Sequence, residues 1–128
     1  MDAAQALSEL TSLSAQITVA IVLDADGSPI ASTLDDARAA ELAQNVQGLL
    51  AAARAADGSG RDVAQLEIAT PAGSVFLVRD GKRTIAATTR PEPAAGLVFY
   101  DLKTCLRQIA DKPKPKPRPR KKAGDAAP

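Results

Sequence analysis

Two carboxylate pairs, Asp24 with Asp26 and Asp35 with Asp36, one thiol, Cys105, and the dipeptide Gly81-Lys82 are the residues of this chain whose type and spacing could do chemistry. Paired acids can share proton transfer, a thiol can attack as a nucleophile, and a Gly-Lys pair can belong to a phosphate-binding loop. Each has a plainer reading. Asp24-Ala-Asp-Gly-Ser28 has the composition of a tight turn, in which Asp side chains accept from nearby backbone N–H groups, and Asp35-Asp36 stands where a helix begins and negative charge complements its dipole. Gly81-Lys82 is followed by Arg83 and has no glycine five positions before Gly81, so it is not a nucleotide-binding loop, and Gly58-Ser-Gly60 is a lone flexible loop.

The chain contains no histidine and a single cysteine. Zinc sites of mixed His and Cys type, Ser/His/Asp triads and Cys/His pairs are therefore unavailable, and no internal disulfide can form. Cysteine usage points to a reducing compartment, and the expected location is the cytoplasm. The longest run of large aliphatics, Val19 to Leu23 with one alanine inside it, is far short of the roughly 20 residues of a membrane helix, so no membrane insertion is expected. No enzyme, cofactor or metal is expected.

Charge divides the chain in two. Residues 1–110 carry 9 Lys and Arg against 13 Asp and Glu, a net of −4, whereas residues 111–128 carry 7 against 2, a net of +5. The first segment is one domain's worth of chain; the second reads as a disordered basic tail, with Lys112, Lys114, Lys116, Arg118, Arg120, Lys121 and Lys122 as its electrostatic residues. Alternating proline fixes φ near −65° and removes backbone donors, so this run is expected to extend in polyproline geometry at about 3.1 Å per residue.

The elements that must position any site follow from periodicity. Ala3, Ala6, Leu7, Leu10 and Leu13 share one face of a short helix from Asp2 to Ser14. Val19 to Leu23 is apolar on both faces and β-branched, as in an inner strand, and Pro29 to Thr33 returns from the Asp24–Ser28 turn as its partner. A second helix, Asp35 to Ala56, puts Leu42, Val46, Leu49, Leu50 and Ala53 inward and Ala37, Glu41, Gln44, Gly48, Ala52 and Ala55 outward, until Asp57-Gly58 stops it. Val63 to Thr70 alternates, with Ala64, Leu66 and Ile68 on one face and Gln65 and Glu67 on the other. Ser74 to Arg79 is apolar on both faces, Asp80-Gly81 turns, and Thr84 to Thr89 completes a meander. After Gly96, a last helix buries Val98, Leu102, Cys105, Leu106 and Ile109 and exposes Tyr100, Lys103 and Arg107.

In this order the segments AIVLDADGSPIAST (Ala20 to Thr33), VFLVRDGKRTIAATT (Val75 to Thr89) and AGLVFYDLKTCLRQI (Ala95 to Ile109) resemble the Roadblock (dynein light chain) family, bacterial type, over about residues 3 to 110. The resemblance implies a three-layer α/β (α+β) fold of Roadblock/profilin type, order α-β-β-α-β-β-β-α. Its five-stranded antiparallel sheet would carry the middle helix on one face and the two terminal helices on the other. It also implies a dimer, with itself or a paralogue, through the third strand and the middle helix, here Val63, Gln65, Leu66 and Glu67 with Ala52 and Ala55. The implied work is scaffolding or regulation of a small Ras-like GTPase without a catalytic side chain, and Glu41, Gln44, Asn45 and Gly48 on the outward stripe are the expected contacts.

The alternative is a nucleic-acid accessory protein acting through the tail, which has the charge for phosphates but no aromatic residue to stack on bases. On the first reading the tail is an electrostatic arm making weak polyanion contact. Ending the chain at Ala110 should then leave the fold and the specific complex intact and slow association only at low salt, because exposed charge is screened as salt rises. Stopped-flow association rates at two ionic strengths check this; loss of the complex at every salt concentration would make the tail the recognition element.

Overall fold

The structure, a computed structural model, describes residues 1–109. The proposed tail residues Lys112, Lys114, Lys116, Arg118, Arg120, Lys121 and Lys122 lie outside the described residues. Eight elements follow one another: α1 (Ala3–Leu13), β1 (Ile17–Leu23), β2 (Pro29–Ser32), α2 (Asp36–Asp57), β3 (Gln65–Thr70), β4 (Gly73–Asp80), β5 (Arg83–Thr89) and α3 (Ala95–Gln108). The strands form one antiparallel sheet in the order β2-β1-β5-β4-β3.

Local chemistry sets the boundaries. Asp2 caps α1: its carboxylate accepts from the Gln5 N–H at 2.8 Å, while the Gln5 side chain accepts from the Asp2 N–H at 3.2 Å, a reciprocal capping box. Asp35 caps α2 by accepting from the Arg38 N–H at 2.9 Å, and Gly58 ends that helix in the left-handed region at φ 71°. In the β1–β2 turn, Asp24 Oδ1 accepts from the N–H groups of Asp26 and Ser28, both at 3.1 Å. Both carboxylate pairs thus work as turn and cap residues.

The two sheet faces are covered differently. On one, Ala6, Leu7 and Leu10 of α1 and Val98, Leu102, Cys105 and Leu106 of α3 bury Val22, Phe76, Val78 and Ile85. Phe76 is closed over by Phe99, edge to face at 5.0 Å. On the other, α2 alone covers Ile21, Leu23, Leu77 and Ala86. Phe76, Leu77 and Val78 are consecutive and all buried, alternating between the two layers. Each large side chain so buried stabilises the fold by about 1.5–3 kcal/mol.

Three details depart from the periodicity. The deepest stripe of α2 is Ala39, Ala43, Val46 and Leu50; Leu42, Leu49 and Ala53 are half-buried at its flanks. Small alanines let the helix lie close to the sheet, which rotates the expected leucines to the edges of the contact. Leu13, expected in the core, is 79 % exposed because it is the final residue of α1, where the helix runs past the sheet contact. Gly96 lies inside the first turn of α3 rather than before it.

Gly73 opens β4 at φ 151°, where a β-carbon would overlap the Thr89 carbonyl oxygen. Gly73→Ala should therefore lose about 1–3 kcal/mol. Gly48, helical and with open space around its α-carbon, should accept alanine with a gain of up to about 1 kcal/mol. Urea titration of both variants checks the contrast.

Candidate partner-binding site

Helix α2 carries its inward side on alanines and therefore has little contrast between faces. Glu41, Gln44, Asn45 and Gly48 are all exposed, and their spacing places them on one stripe that Ala52 and Ala55 continue toward the helix C-terminus. Glu41 is the only charge among these six residues. A solvated helix face ordinarily carries alternating charge; this one offers amides, small residues and a glycine onto which another surface can close.

Strand β3 is an edge of the sheet, and its hydrogen-bond alternation identifies which groups are free. The Arg79 N–H donates to the Ala64 carbonyl at 2.9 Å, and the register pairs Leu66 with Leu77 and Ile68 with Val75. Since bonded and non-bonded pairs alternate in an antiparallel ladder, Ala64, Leu66 and Ile68 turn their backbone groups toward β4. Gln65, Glu67 and Ala69 turn theirs to the open edge. The side chains of Leu66 and Ile68 lie half-buried on the α2 side, while those of Gln65 and Glu67 are exposed on the α1/α3 side, opposite Val78 and Phe76. Sequence periodicity found the two faces of this strand but not which residues own its free edge.

The expected dimer residues Val63, Gln65, Leu66 and Glu67 gather at this edge. A cleft of Ala53, Asp57, Arg61, Asp62, Val63, Ala64, Gln65 and Leu66 joins it to the C-terminal end of α2. The cleft is held by Asp62, which sequence reading passed over. Arg54 of α2 donates to Asp62 Oδ1 from Nε and Nη2, each at 3.1 Å, and Arg79 Nε of β4 sits 2.8 Å from Asp62 Oδ2 as an ion pair without hydrogen-bond alignment. Asp62 Oδ1 also accepts from the Val63 N–H at 3.0 Å. One carboxylate thus ties α2, the strand entry and β4 together. The Arg54 hydrogen bonds, and then the Val63 N–H and the Arg79 charge, hold its carboxyl below the usual Asp value against the opposing effect of burial.

Beside α2, a row of half-buried residues crosses the same sheet face: Val19, Thr88, Val75 and Ile68 stand opposite one another on β1, β5, β4 and β3. The site is thus a helix stripe, an uncovered row and a free strand edge on one side of the molecule. It contains no nucleophile-base pair. Cys105, the one thiol, is buried in the opposite layer, its pKa pushed up to about 11 by burial and by the charge of Glu9. Among the described residues no group of His, Cys, Asp and Glu could hold a metal, and no helix is long and apolar enough to cross a membrane.

A five-stranded antiparallel sheet with one helix on one face and two on the other defines the Roadblock/profilin-like class of fold. The Roadblock/LC7 domain family model matches residues 3–89, and the chain belongs to that family. Among solved structures, a Roadblock/LC7 domain from Streptomyces avermitilis superposes with a TM-score of 0.74 at 23 % identity, covering 84 % of this chain and 93 % of that one. MglB of Myxococcus xanthus gives 0.62 at 15 %, covering 82 % and 85 %. The gliding protein MglB of Thermus thermophilus gives 0.65 at 17 %, covering 80 % and 82 %. No curated protein matches the chain.

The Asp62 tie generates a pH prediction. A carboxyl whose folded pKa is depressed contributes stability above its unfolded pKa of about 3.9 and loses it as pH falls through the folded value. Asp62→Asn should therefore be less stable than wild type at neutral pH, with faster amide exchange in β3. The difference should close as pH drops below about 4; exchange mass spectrometry at neutral and acidic pH measures it.

Proposed function

We propose that this protein is a non-catalytic, dimeric interaction module that regulates or scaffolds a small Ras-like GTPase in the cytoplasm, its second subunit being another copy of itself or a paralogue. The observation that carries the reading is the combination of a nearly uncharged exposed stripe on α2 with an adjoining free strand edge. The first supplies a surface that tolerates close approach, and the second is a row of unpaired backbone groups that proteins normally cover. Family membership supports both halves, since the Roadblock resemblance implies dimerisation through these elements and work on small GTPases.

Pairing of β3 with its symmetry mate is limited by the residues on the edge. A two-fold axis at Glu67 would set Glu67 against the partner's Glu67, which is destabilising, and an axis at Ile68 would set Gln65 against the partner's Pro71, which has no N–H. An axis at Leu66 pairs Gln65 with the partner's Glu67 and brings the two Leu66 side chains together under the α2 layer. Leu66→Cys should therefore cross-link between subunits on oxidation, because directly opposed residues of a non-bonded pair have β-carbons about 4.5–5.5 Å apart. Glu67→Cys should not, and a reversed result on non-reducing gels would sink the register. Glu67→Pro removes an outward donor and should give a monomer by light scattering. Leu66→Pro removes a bond to β4 and should damage the fold as well.

For partner contact, Gly48→Arg adds a long cation to the centre of the stripe, where the glycine has open space. Its thermal melt should match wild type or rise slightly, since arginine is the better helix former by up to about 1 kcal/mol. Capture of a Ras-like GTPase from native cell extract should be lost; equal capture by both proteins removes Glu41, Gln44, Asn45 and Gly48 as the contact.

A further inference from the structure

On the side opposite α2, the helices are spaced by the sheet beneath them. α1 packs on β1 and β2, and α3 packs on β5 and β4. Each helix therefore spans two strands, a width of about 10 Å, which matches the about 8–10 Å between packed helices. β3 is left without a helix on this side. Its Gln65, Glu67 and Ala69 are exposed there, whereas Val78 and Phe76, their neighbours on β4, are buried. The flank of α3 that borders β3 follows from helical spacing. Asp101, Thr104 and Gln108 face α1, so Phe99 and Lys103, one turn apart, lie on the other flank. Phe99 covers Phe76, which stands beside Glu67 in the sheet. Neither Glu67 nor Lys103 forms an ion pair among the described residues.

We propose that dimerisation completes a helix-wide slot over the two paired β3 strands, and that this slot takes one helix of another protein, with a Lys or Arg toward its floor and acidic residues toward its walls. The inference rests on the dimer register proposed above. With the two-fold axis at Leu66 and perpendicular to the sheet, both α1/α3 layers fall on one side. β3 and the partner subunit's β3 then supply the two strands that one more helix needs. A helix laid on the axis stands about 10 Å from each α3, the same two-strand interval that sets α3 beside α1. Because it lies on the axis, only one fits per dimer.

Charge selects the occupant. Glu67 faces Gln65 of the partner subunit across the interface, which places the two Glu67 side chains diagonally, about 7–8 Å apart. Like charges that close repel, and a single cation between them is within reach of both. Lys103, exposed on each wall, offers the complementary contact to a carboxylate on either side of the incoming helix. Ala69 of each strand leaves room for the small residues that allow a helix to lie close. The α2 stripes are on the other side of the sheet, so a GTPase and this helix can be held at once, and the dimer bridges them.

Amide spectra of the intact chain test the proposal. The probe is a synthetic alanine-rich helix of about 20 residues with a central arginine and glutamates on both flanks, titrated at about 20 mM salt, where screening is weak. Shifts should saturate at Gln65, Glu67, Ala69, Phe99 and Lys103 with one peptide per dimer, and Glu41, Gln44 and Gly48 should not move. Exchanging the peptide's arginine for glutamate, or Glu67→Gln in the protein, should weaken binding by about tenfold, the scale of one charge-assisted contact. Light scattering on the same samples separates this inference from the reading beneath it. A monomer sinks the dimer and the slot together. If the intact chain and E67Q are both dimers, then an absence of shifts, shifts confined to α2, one peptide per chain, or an equal response to the glutamate peptide overturns the slot alone.

Discussion

Unequal cover of the two sheet faces is the constraint on which this molecule depends. Two helices close one face, so Phe76, Val78 and Ile85 are sealed with Phe99 edge-on above them. One helix must serve the other. It does so by lying close, with Ala39 and Ala43 against Ile21, Leu23, Leu77 and Ala86, and its cover thins toward β3, where Leu66 packs against that cluster only half-buried. The Val19, Thr88, Val75 and Ile68 row stays half-covered and the β3 edge stays open. The exposed site is a consequence of this arithmetic: a sheet this wide has more surface on that side than one helix can hide.

Most of the fold was legible because its signals are local. The helix start at Asp35, the Asp24–Ser28 turn, Gly58 after α2 and the doubly apolar strands all depend on neighbours a few residues away. What escaped depended on distant neighbours. The rotation of α2 onto Ala39 and Ala43 is set by how closely a helix can approach a sheet, which the 100° periodicity does not contain. The role of Asp62 needs Arg79, which only β3–β4 pairing brings beside it. Of the candidate site, Glu41, Gln44, Asn45 and Gly48 are together on one exposed face, as helical spacing alone requires. The free edge of β3 was not legible, because alternation of side chains says nothing about the direction of backbone groups until one ladder bond is known.

The Asp62 tie shows how the open side is kept ordered without a second covering helix. Its side chain is 52 % exposed, and an exposed ion pair contributes little by itself. Arg79, however, is only 20 % exposed and also donates to the buried Thr84 at 3.3 Å, so its position is fixed by the core rather than by the pair. Asp62 uses that fixed cation, together with Arg54 and the Val63 N–H, to set where the chain enters β3. The interaction matters through placement more than through energy, since a strand entering one residue out of register would turn Leu66 to the solvent side and Glu67 beneath α2.

Placement of β3 in turn governs what the α2 stripe can be. Under the proposed register, Leu66 of each subunit meets its counterpart beneath the two helices, and both stripes lie on one face of a continuous sheet. The stripe of a single α2 is narrow, with one charge among its six residues, too little chemistry to discriminate among partners through ion pairs. In the proposed dimer, two such stripes side by side would offer a small-residue surface that selects a partner by fit. In such a surface Gly48, with nothing within 4 Å of where a β-carbon would stand, is valuable for what it leaves empty. On the proposed reading, in which the chain supplies no catalytic group, its contribution would be to hold a partner's surface in one arrangement, and the open face that limited core burial leaves behind is where it would do so.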